Sequence, residues 1–367
     1  MADIFDYLIW RGDLSLEAVP LNPVDTLILS ELSYLGLEGL VPGDFRHPVP
    51  LKVMAEAMLA LPDRENRVRT KKDLDLLAAC AQAPRFRDLW LLFYSNELLP
   101  EIQSQFAAVT WRLPDDSALI TYRGTDLTLT GWKEDFNMSF QSSVPAQEKA
   151  LWYLEAFARV HGGPIRLAGH SKGGNLAVYA AARCQPEVRG RIEAVHNHDG
   201  PGFFAAMLED PGYREVLPRV RTFVPQSSVV GMLLEHEEPY SVIRSRQLSL
   251  LQHDPYSWEV LGGDFVRVEE IDANSRFLDT TIKTWLAQTS LEERNAFVDA
   301  VYELLSLGQS DDLRDVILPR NVLRYLRQLG TDEQLRSVIA REFAELFRTA
   351  LELRKKKALP ELPPGSR

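Results

Sequence analysis

The spacing of apolar residues along the chain is helical at both ends and mixed in the middle. In the first hundred residues, apolar positions recur every three or four residues, which is typical of helices with one buried face. Asn22 and Pro23 suit the start of one such helix, as cap and first-turn residue. Further helices are predicted at about 51–61, 72–82 and 86–98. After about residue 260 the helical period returns.

Between residues 106 and 260, short β-rich runs alternate with helical segments. The first two runs flank a Pro-Asp-Asp-Ser turn and predict a hairpin. The later runs are separated by helical segments, which favours a largely parallel sheet with helices on both faces. The six predicted strands are Phe106–Arg112, Ala118–Arg123, Ile165–Ala168, Ile192–His198, Val220–Val224 and Tyr240–Ile243. The predicted fold class is therefore α/β.

These patterns divide the chain into four parts. A helical N-terminal part, residues 1–105, is expected to pack on an α/β core at residues 106–260. A helical C-terminal region follows at residues 261–352. Residues 353–367 contain a run of four basic residues, Arg354 to Lys357, and three prolines, so they are expected to be a disordered tail.

The composition of the chain excludes several classes of protein. Hydrophobic residues make up 45% and charged residues 25%, as in an ordinary globular chain. The net charge of −11 argues against a nucleic-acid partner. The chain has no signal-like leader and no apolar run long enough to cross a bilayer, so a cytoplasmic protein is expected. No metal-ligand cluster, phosphate loop or dinucleotide fingerprint is recognisable, so no cofactor or metal is expected.

One pentapeptide indicates a specific chemistry. Residues 169–173 have the pattern Gly-x-Ser-x-Gly, directly after an apolar run and before an alanine-rich helical segment. Between a strand and a helix, this pattern forms a sharp turn that holds the serine in a strained conformation. Glycine is required at both ends because a Cβ there would collide with neighbouring backbone. The pattern therefore predicts that Ser171 is a nucleophile.

A serine nucleophile needs a base that takes its proton and a carboxylate that orients the base. In α/β-hydrolases these residues follow in the order serine, acid, histidine. Asp199 ends the first predicted strand after the serine, and His253 follows the last predicted strand. These two residues are the candidate acid and base. His236 is an alternative base and Asp254 an alternative acid.

An oxyanion hole needs two backbone N–H donors. One is expected from Lys172, the residue after the serine. The other is expected from residues 122–125, where Gly124 lets the backbone approach a substrate. The Lys172 side chain is expected to pair with a carboxylate, Asp135 or Asp199.

Several motifs resemble those of known hydrolases. Tyr-Arg-Gly-Thr-Asp at 122–126, Trp-Lys-Glu-Asp at 132–135 and Gly-His-Ser-Lys-Gly-Gly at 169–174 are similar to the class 3 lipase pattern. His-Asp-Gly-Pro-Gly-Phe at 198–203 and Leu-Gln-His-Asp-Pro-Tyr-Ser-Trp at 251–258 extend the resemblance to the uncharacterised bacterial Mbeg-like family of α/β-hydrolases. The resemblance covers roughly residues 1–260.

The resemblance implies a lipase-like α/β-hydrolase with Ser171 as nucleophile and His253 as base. It also implies Thr125 and Lys172 as oxyanion donors. Class 3 lipases usually carry their acid after the strand that corresponds to residues 220–224.

This chain departs from that pattern, because the loop at residues 226–228 contains no carboxylate. Asp199 must then act from the preceding strand, or the set of catalytic residues is incomplete.

The expected function is a serine hydrolase that cleaves a carboxylic ester through an acyl-enzyme. By family analogy the expected substrate is a lipid or acylglycerol. A thioesterase or acyltransferase would use the same residues. A non-catalytic binding protein is the alternative from another class, and the missing carboxylate at residues 226–228 favours it. The oligomeric state does not follow from the sequence.

Overall fold

The computed structural model describes residues 2–126, 128–138, 141, 143–308 and 318–358. The chain divides into two compact units, Met1–Ser275 and Arg276–Arg367. The first unit contains an eight-stranded sheet in which the strands follow in chain order. The strands are β1 Val49–Pro50, β2 Trp90–Leu99, β3 Ser104–Arg112, β4 Ala118–Tyr122, β5 Ile165–His170, β6 Ile192–His198, β7 Val220–Pro225 and β8 Tyr240–Ile243.

Strands β1 to β4 pair antiparallel, and β4 to β8 pair parallel. The predicted hairpin and the predicted parallel sheet are therefore confirmed. In the register of the parallel part, Tyr122 pairs with Gly169, and His170 pairs with His198. The carboxyl ends of β4, β5 and β6 consequently meet at one edge of the sheet. A separate two-stranded ribbon joins β9 Val260–Leu261 to β10 Asp264–Phe265.

Ten helices are described in the first unit. Asn22 caps the second one as predicted, since its side chain accepts a hydrogen bond from the Val24 N–H. The helices are α1 Ile4–Arg11, α2 Pro23–Leu32, α3 Leu51–Ala60, α4 Lys71–Gln82, α5 Leu129–Asn137, α6 Pro145–Ala158, α7 Lys172–Arg183, α8 Pro186–Arg189, α9 Ala205–Leu208 and α10 Pro211–Val216.

Alternate residues along β4 belong to two hydrophobic cores. Leu119 lies in a core that also contains buried residues of α1 to α4. Ile120 and Tyr122 lie in a second core with buried residues of α6, α7 and α10. Because successive side chains of a strand point to opposite faces, helices cover the sheet on both sides. The fold is an α/β-hydrolase fold.

The helix predicted at residues 86–98 is wrong. Trp90–Leu99 is strand β2, which pairs with β3 and extends the sheet. The run Leu91–Tyr94 is buried and continuously apolar, and such a run has no period that separates a strand from a buried helix. The helical N-terminal part therefore does not reach residue 105, and its last helix ends at Gln82.

Whereas the region predicted to be helical from residue 261 begins with the β9–β10 ribbon, the described residues of the second unit are mainly helical. Its helices are α11 Ala273–Gln288, which begins in the first unit, α12 Leu291–Ser306, α13 Pro319–Thr331 and α14 Glu333–Ala358. Their core includes Ala300, Leu304, Tyr325 and Leu335. The tail expected from residue 353 is helical as far as Ala358, and residues 359–367 lie outside the described part. No described helix combines the length and the apolar character needed to span a membrane.

A buried ion pair anchors the N-terminal helices. Arg85 Nε donates to Asp25 Oδ1 at 2.7 Å, and both side chains are fully buried. Arg85 Nη1 donates to the Leu14 carbonyl at 2.9 Å, and Tyr7 Oη donates to Asp25 Oδ1 at 2.6 Å. One guanidinium therefore links α2 to the segment that follows α1.

We expect Arg85→Ala to lower the free energy of unfolding by about 3–5 kcal/mol, because Asp25 would remain buried without its cation. Urea unfolding measures the change. Arg87→Ala is the matched control, since it removes an exposed ion pair with Asp88 and should cost less than about 1 kcal/mol. Equal losses in the two variants would contradict the structural role of Arg85.

Candidate active site

Ser171 lies at the turn between β5 and α7. Its backbone has φ 59° and ψ −135°, a conformation that residues other than glycine rarely adopt. The Ser171 N–H donates to the His198 carbonyl at 2.9 Å, and the Ser171 carbonyl accepts from the Gly174 N–H at 2.9 Å. A Cβ on Gly169 would lie 2.1 Å from the Gly173 carbonyl carbon. Glycine at that position is therefore what allows strand and helix to meet so closely.

Helix α7 begins at Lys172, directly after the serine. The first N–H groups of a helix have no acceptor within it, and this end of the helix is partially positive. The loop after β4 approaches the same point, since a Cβ on Gly124 would lie 2.5 Å from the His170 carbonyl oxygen and 3.0 Å from Ser171 Cβ. Gly124 is therefore packed against the serine turn, and Thr125 is the next residue along the chain.

The structure brings Asp199 and His253 together. His253 Nδ1 lies 2.6 Å from Asp199 Oδ2, although the two residues are 54 positions apart. Asp199 is fully buried, whereas 29% of the His253 side chain is exposed. Because the His198 carbonyl accepts from the Ser171 N–H, the residue next to Asp199 contacts the serine turn directly.

A serine completes the environment of Asp199. Ser228 Oγ donates to Asp199 Oδ1 at 2.5 Å, so both carboxylate oxygens have a partner. Ser228 lies in the loop where the lipase pattern would place an acid and where the sequence shows only Gln226, Ser227 and Ser228. Sequence reasoning noted the missing carboxylate there but did not recognise Ser228 as a partner of Asp199.

The two alternative residues have other partners. His236 Nδ1 lies 2.9 Å from Glu238 Oε1, whose carboxylate also accepts hydrogen bonds from Thr222 and Tyr213. Asp254 accepts from the Tyr256 N–H at 3.1 Å. Neither residue contacts Asp199 or His253 through its side chain among the described interactions. The geometry thus favours Asp199 and His253 over both alternatives.

The Lys172 side chain turns into the protein. Its Nζ donates to Glu134 Oε2 at 2.8 Å and to the Gln105 carbonyl at 3.1 Å. Asp135 Oδ1 lies 3.7 Å away, and only 1% of the Lys172 side chain is exposed. A carboxylate partner was expected, but the main one is Glu134 rather than Asp135 or Asp199. This cation is therefore not directed at a substrate.

Thr125 is fixed by Asp135. Thr125 Oγ1 donates to Asp135 Oδ2 at 2.5 Å, while Asp135 Oδ1 is buried without a hydrogen-bond partner among the described residues. Burial raises the pKa of the Asp135 carboxyl to about 6, although the Lys172 cation and the Thr125 hydroxyl act in the opposite direction. The Asp135 carboxyl therefore keeps its proton to a higher pH than an ordinary aspartate does.

One predicted contact is absent. Ser171 Oγ makes no hydrogen bond to His253 within the part of the chain that the structure describes. Such bonds are often long without substrate and shorten only when the substrate binds. Ser171 is only 8% exposed, so access to its hydroxyl is narrow.

The mostly parallel sheet with helices on both faces, and the strained serine between a strand and a helix, are features of an α/β-hydrolase fold. The sequence profile of the Mbeg1-like family matches residues 80–303. The chain belongs to the Mbeg1-like family.

Comparison with solved structures gives similarities to lipases at low identity. A structure of M37 lipase is 13% identical, with a TM-score of 0.37, and the match covers 84% of this chain and 98% of that one. A Rhizomucor miehei lipase propeptide complex is 14% identical, with a TM-score of 0.35, and the match covers 51% of this chain and 71% of that one. No curated protein matches the chain.

A cofactor or metal was not expected from the sequence. Within the described residues, no group of histidine, cysteine, aspartate or glutamate side chains is arranged to hold a metal ion.

We expect the stability of the protein to decrease as Asp135 ionises. Its pKa is about 6 in the folded state and 3.8 ordinarily, so the folded state binds this proton more tightly. The free energy of unfolding should therefore fall as the pH rises from about 4 through about 6. Asp135→Asn should remove this contribution. Urea unfolding at several pH values measures the difference between the two proteins, and a difference that does not change with pH would contradict the assignment.

Proposed function

We propose that this protein is a serine hydrolase that cleaves carboxylic esters through an acyl-enzyme. The observation that carries the proposal is the 2.6 Å contact between Asp199 and His253, beside a serine in a strained turn at the start of a helix. A buried carboxylate bonded to a partly exposed imidazole is the arrangement that a serine nucleophile requires.

In the first half of the reaction, Ser171 Oγ attacks the carbonyl carbon of the ester. His253 Nε2 takes the hydroxyl proton as the new C–O bond forms. The resulting imidazolium then gives this proton to the leaving alcohol as the original ester bond breaks. Asp199 accepts from Nδ1–H throughout, which fixes the tautomer and stabilises the imidazolium.

In the second half, a water molecule takes the place of the alcohol. His253 accepts one proton from the water, whose oxygen attacks the acyl carbon. The bond to Ser171 Oγ then breaks, and His253 returns the proton to the serine. The products are an alcohol and a carboxylic acid, and the enzyme returns to its initial state.

The negative oxygen that forms in both halves needs two donors in fixed positions. We assign these donors to the backbone N–H groups of Lys172 and Thr125. Lys172 begins a helix, where the backbone N–H groups lack partners within the helix. The bond between Thr125 Oγ1 and Asp135 restricts the loop that carries the second donor.

The proposed substrate is an ester with an apolar acyl group, such as a lipid or acylglycerol. Leu251 is 66% exposed and lies two residues before His253, and Leu248 is 79% exposed. Apolar side chains that remain exposed next to a reactive group favour an apolar ligand. A thioester would be attacked by the same residues and belongs in the same set of test substrates.

A second candidate function is a binding protein without catalytic activity. The absence of a hydrogen bond between Ser171 Oγ and His253 favours it, because an inactive relative could retain the turn without a working base. A fluorophosphonate probe separates the two functions, because it labels only an activated serine. Labelling of the wild type at a residue other than Ser171, or no labelling at all, would favour the binding protein.

We expect Ser171→Ala to lower kcat for a p-nitrophenyl ester by roughly 10⁴- to 10⁶-fold, because it removes the nucleophile. His253→Ala should cause a loss of similar size. His236→Ala is the matched control, since this histidine is bonded to Glu238 and should change kcat by less than about threefold. Unchanged turnover by a pure Ser171→Ala preparation would refute the proposed nucleophile.

We expect Asp199→Asn to lower kcat by up to about 10⁴-fold, because the amide stabilises the wrong imidazole tautomer and cannot stabilise the imidazolium. Ser228→Ala should cost less, about 3- to 30-fold, because Asp199 would lose one neutral hydrogen bond but keep its charge. Steady-state kinetics measure both effects. A larger loss in Ser228→Ala than in Asp199→Asn would contradict the proposed role of the carboxylate.

A further inference from the structure

A second histidine holds the backbone of His253. His170 Nε2 lies 3.0 Å from the His253 carbonyl oxygen, and the centres of the two rings are 4.6 Å apart. A carbonyl oxygen can only accept, so Nε2 must carry the proton and donate it. His170 is buried and immediately precedes Ser171. One imidazole thus connects the serine turn to the segment that carries the proposed base.

The other nitrogen of His170 faces the N-terminal helices. Nδ1 lies 3.2 Å from Glu31 Oε1 and 3.3 Å from the Tyr34 hydroxyl. Glu31 is fully buried, and its second oxygen forms an ion pair with Arg69. Burial alone would raise the pKa of Glu31, but Arg69 and His170 outweigh it and lower this pKa to about 2. Glu31 is therefore a carboxylate, whose Oε1 has no hydrogen-bond partner among the described residues. Burial lowers the pKa of His170, so the ring is neutral, and with its proton on Nε2 its Nδ1 can only accept. The Tyr34 hydroxyl is the donor within reach of Nδ1, and it fixes the orientation of the ring.

The same network reaches the residues after His253. The Arg69 guanidinium stacks on the Tyr34 ring at 3.4 Å and lies 3.7 Å from Asp73. Asp73 in turn accepts a hydrogen bond of 2.7 Å from the Tyr256 hydroxyl. The segment from His253 to Tyr256 is therefore held at both ends by groups that are linked to Arg69.

We propose that His170 and Tyr34 are positioning residues that set the place of His253 relative to Asp199 and Ser171. Tyr34 orients the His170 ring through Nδ1, and His170 fixes the main chain of His253 through its carbonyl. The inference rests on the proposed function, since it assigns His253 the role of base. Tyr34 lies before residue 80, where the match to the family profile begins, so the proposed positioning path extends into the N-terminal part of the chain.

The expected effect follows from geometry. His253 lies at the end of the short 3₁₀ turn Ser249–His253, so few backbone bonds of its own restrict it. A displacement of about 1 Å in a catalytic group can cost about 10²-fold in rate. Loss of the contact with His170 should therefore lower kcat, while substrate binding remains largely intact.

The test uses the full-length protein and a p-nitrophenyl ester. His170→Leu removes the donor, and we expect a loss in kcat of about 10- to 100-fold with KM changed less than about threefold. His170→Gln places an amide N–H near the position of Nε2, so it should recover at least about half of that loss on a logarithmic scale. His196→Leu is the control, since it removes another buried histidine that has no described contact with His253.

A double-mutant cycle tests whether Tyr34 acts through His170. Tyr34→Phe should lower kcat by about 3- to 10-fold, because the His170 ring loses the hydroxyl that orients it. In the His170→Leu background the same change should have almost no further effect, since the two residues form one path. Losses that multiply would show that Tyr34 does not act through His170 and would contradict the inference.

A spectroscopic measurement makes the test independent of turnover. The Nδ1 proton of His253, shared with Asp199 across 2.6 Å, should give a low-field proton resonance in NMR spectra. We expect this resonance to broaden or move upfield in His170→Leu and to remain in place in His170→Gln and His196→Leu. An unchanged resonance and unchanged kcat in His170→Leu would overturn the inference. Full turnover by Ser171→Ala would instead refute the proposed function, and the NMR result would still decide the positioning.

Discussion

The turn at Ser171 is the constraint on which the rest of the site depends. A non-glycine residue in this conformation costs on the order of 1–3 kcal/mol, and the surrounding structure must supply that energy. Here the compensation comes from the hydrogen bonds with His198 and Gly174 and from helix α7, which is almost entirely buried. Once the turn is fixed, the start of α7, the loop after β4 and the end of β6 have to meet around the serine.

Three ion pairs with fully buried carboxylates join helices to other helices or to the loops beside them. They join Lys172 to Glu134, Arg85 to Asp25 and Arg69 to Glu31. Pairs of this kind add little net stability over apolar contacts, but breaking one is costly because a lone charge stays behind. Other positions of the joined segments are therefore energetically unfavourable, because they would leave a buried charge unpaired. One of the three pairs lies at the serine turn itself, because Lys172 is the residue after Ser171.

The Mbeg1-like family profile begins at residue 80, yet the helices before that residue form a large part of one hydrophobic core. Thr26 Oγ1 on α2 lies 3.0 Å from His198 Nε2, one residue from Asp199. The N-terminal helices thus cover one face of the sheet and also contact the residues around the candidate site. The N-terminal helices make both contacts because the face of the sheet that they cover ends at the carboxyl edge, where the candidate site lies.

The sequence by itself determined much of this arrangement. Local patterns were enough to predict the hairpin, the parallel strands and the helix capped by Asn22, because backbone propensities act over a few residues. The strand at Trp90–Leu99 was missed because a continuously buried run has no informative period. Residue order in the family pattern was enough to pair Asp199 with His253 as candidates, since the ends of parallel strands meet at one edge of the sheet. Their roles in catalysis remain predictions.

Only the tertiary structure decided which side chains touch. Ser228 bonds Asp199, Glu134 rather than Asp135 is the main partner of Lys172, and Glu31 faces His170 across 139 positions of sequence. A hydroxyl or a carboxylate at such a position has no local signature, because its partner is selected by packing of distant segments. Burial then makes these contacts strong, since an unpaired polar group removed from water is costly.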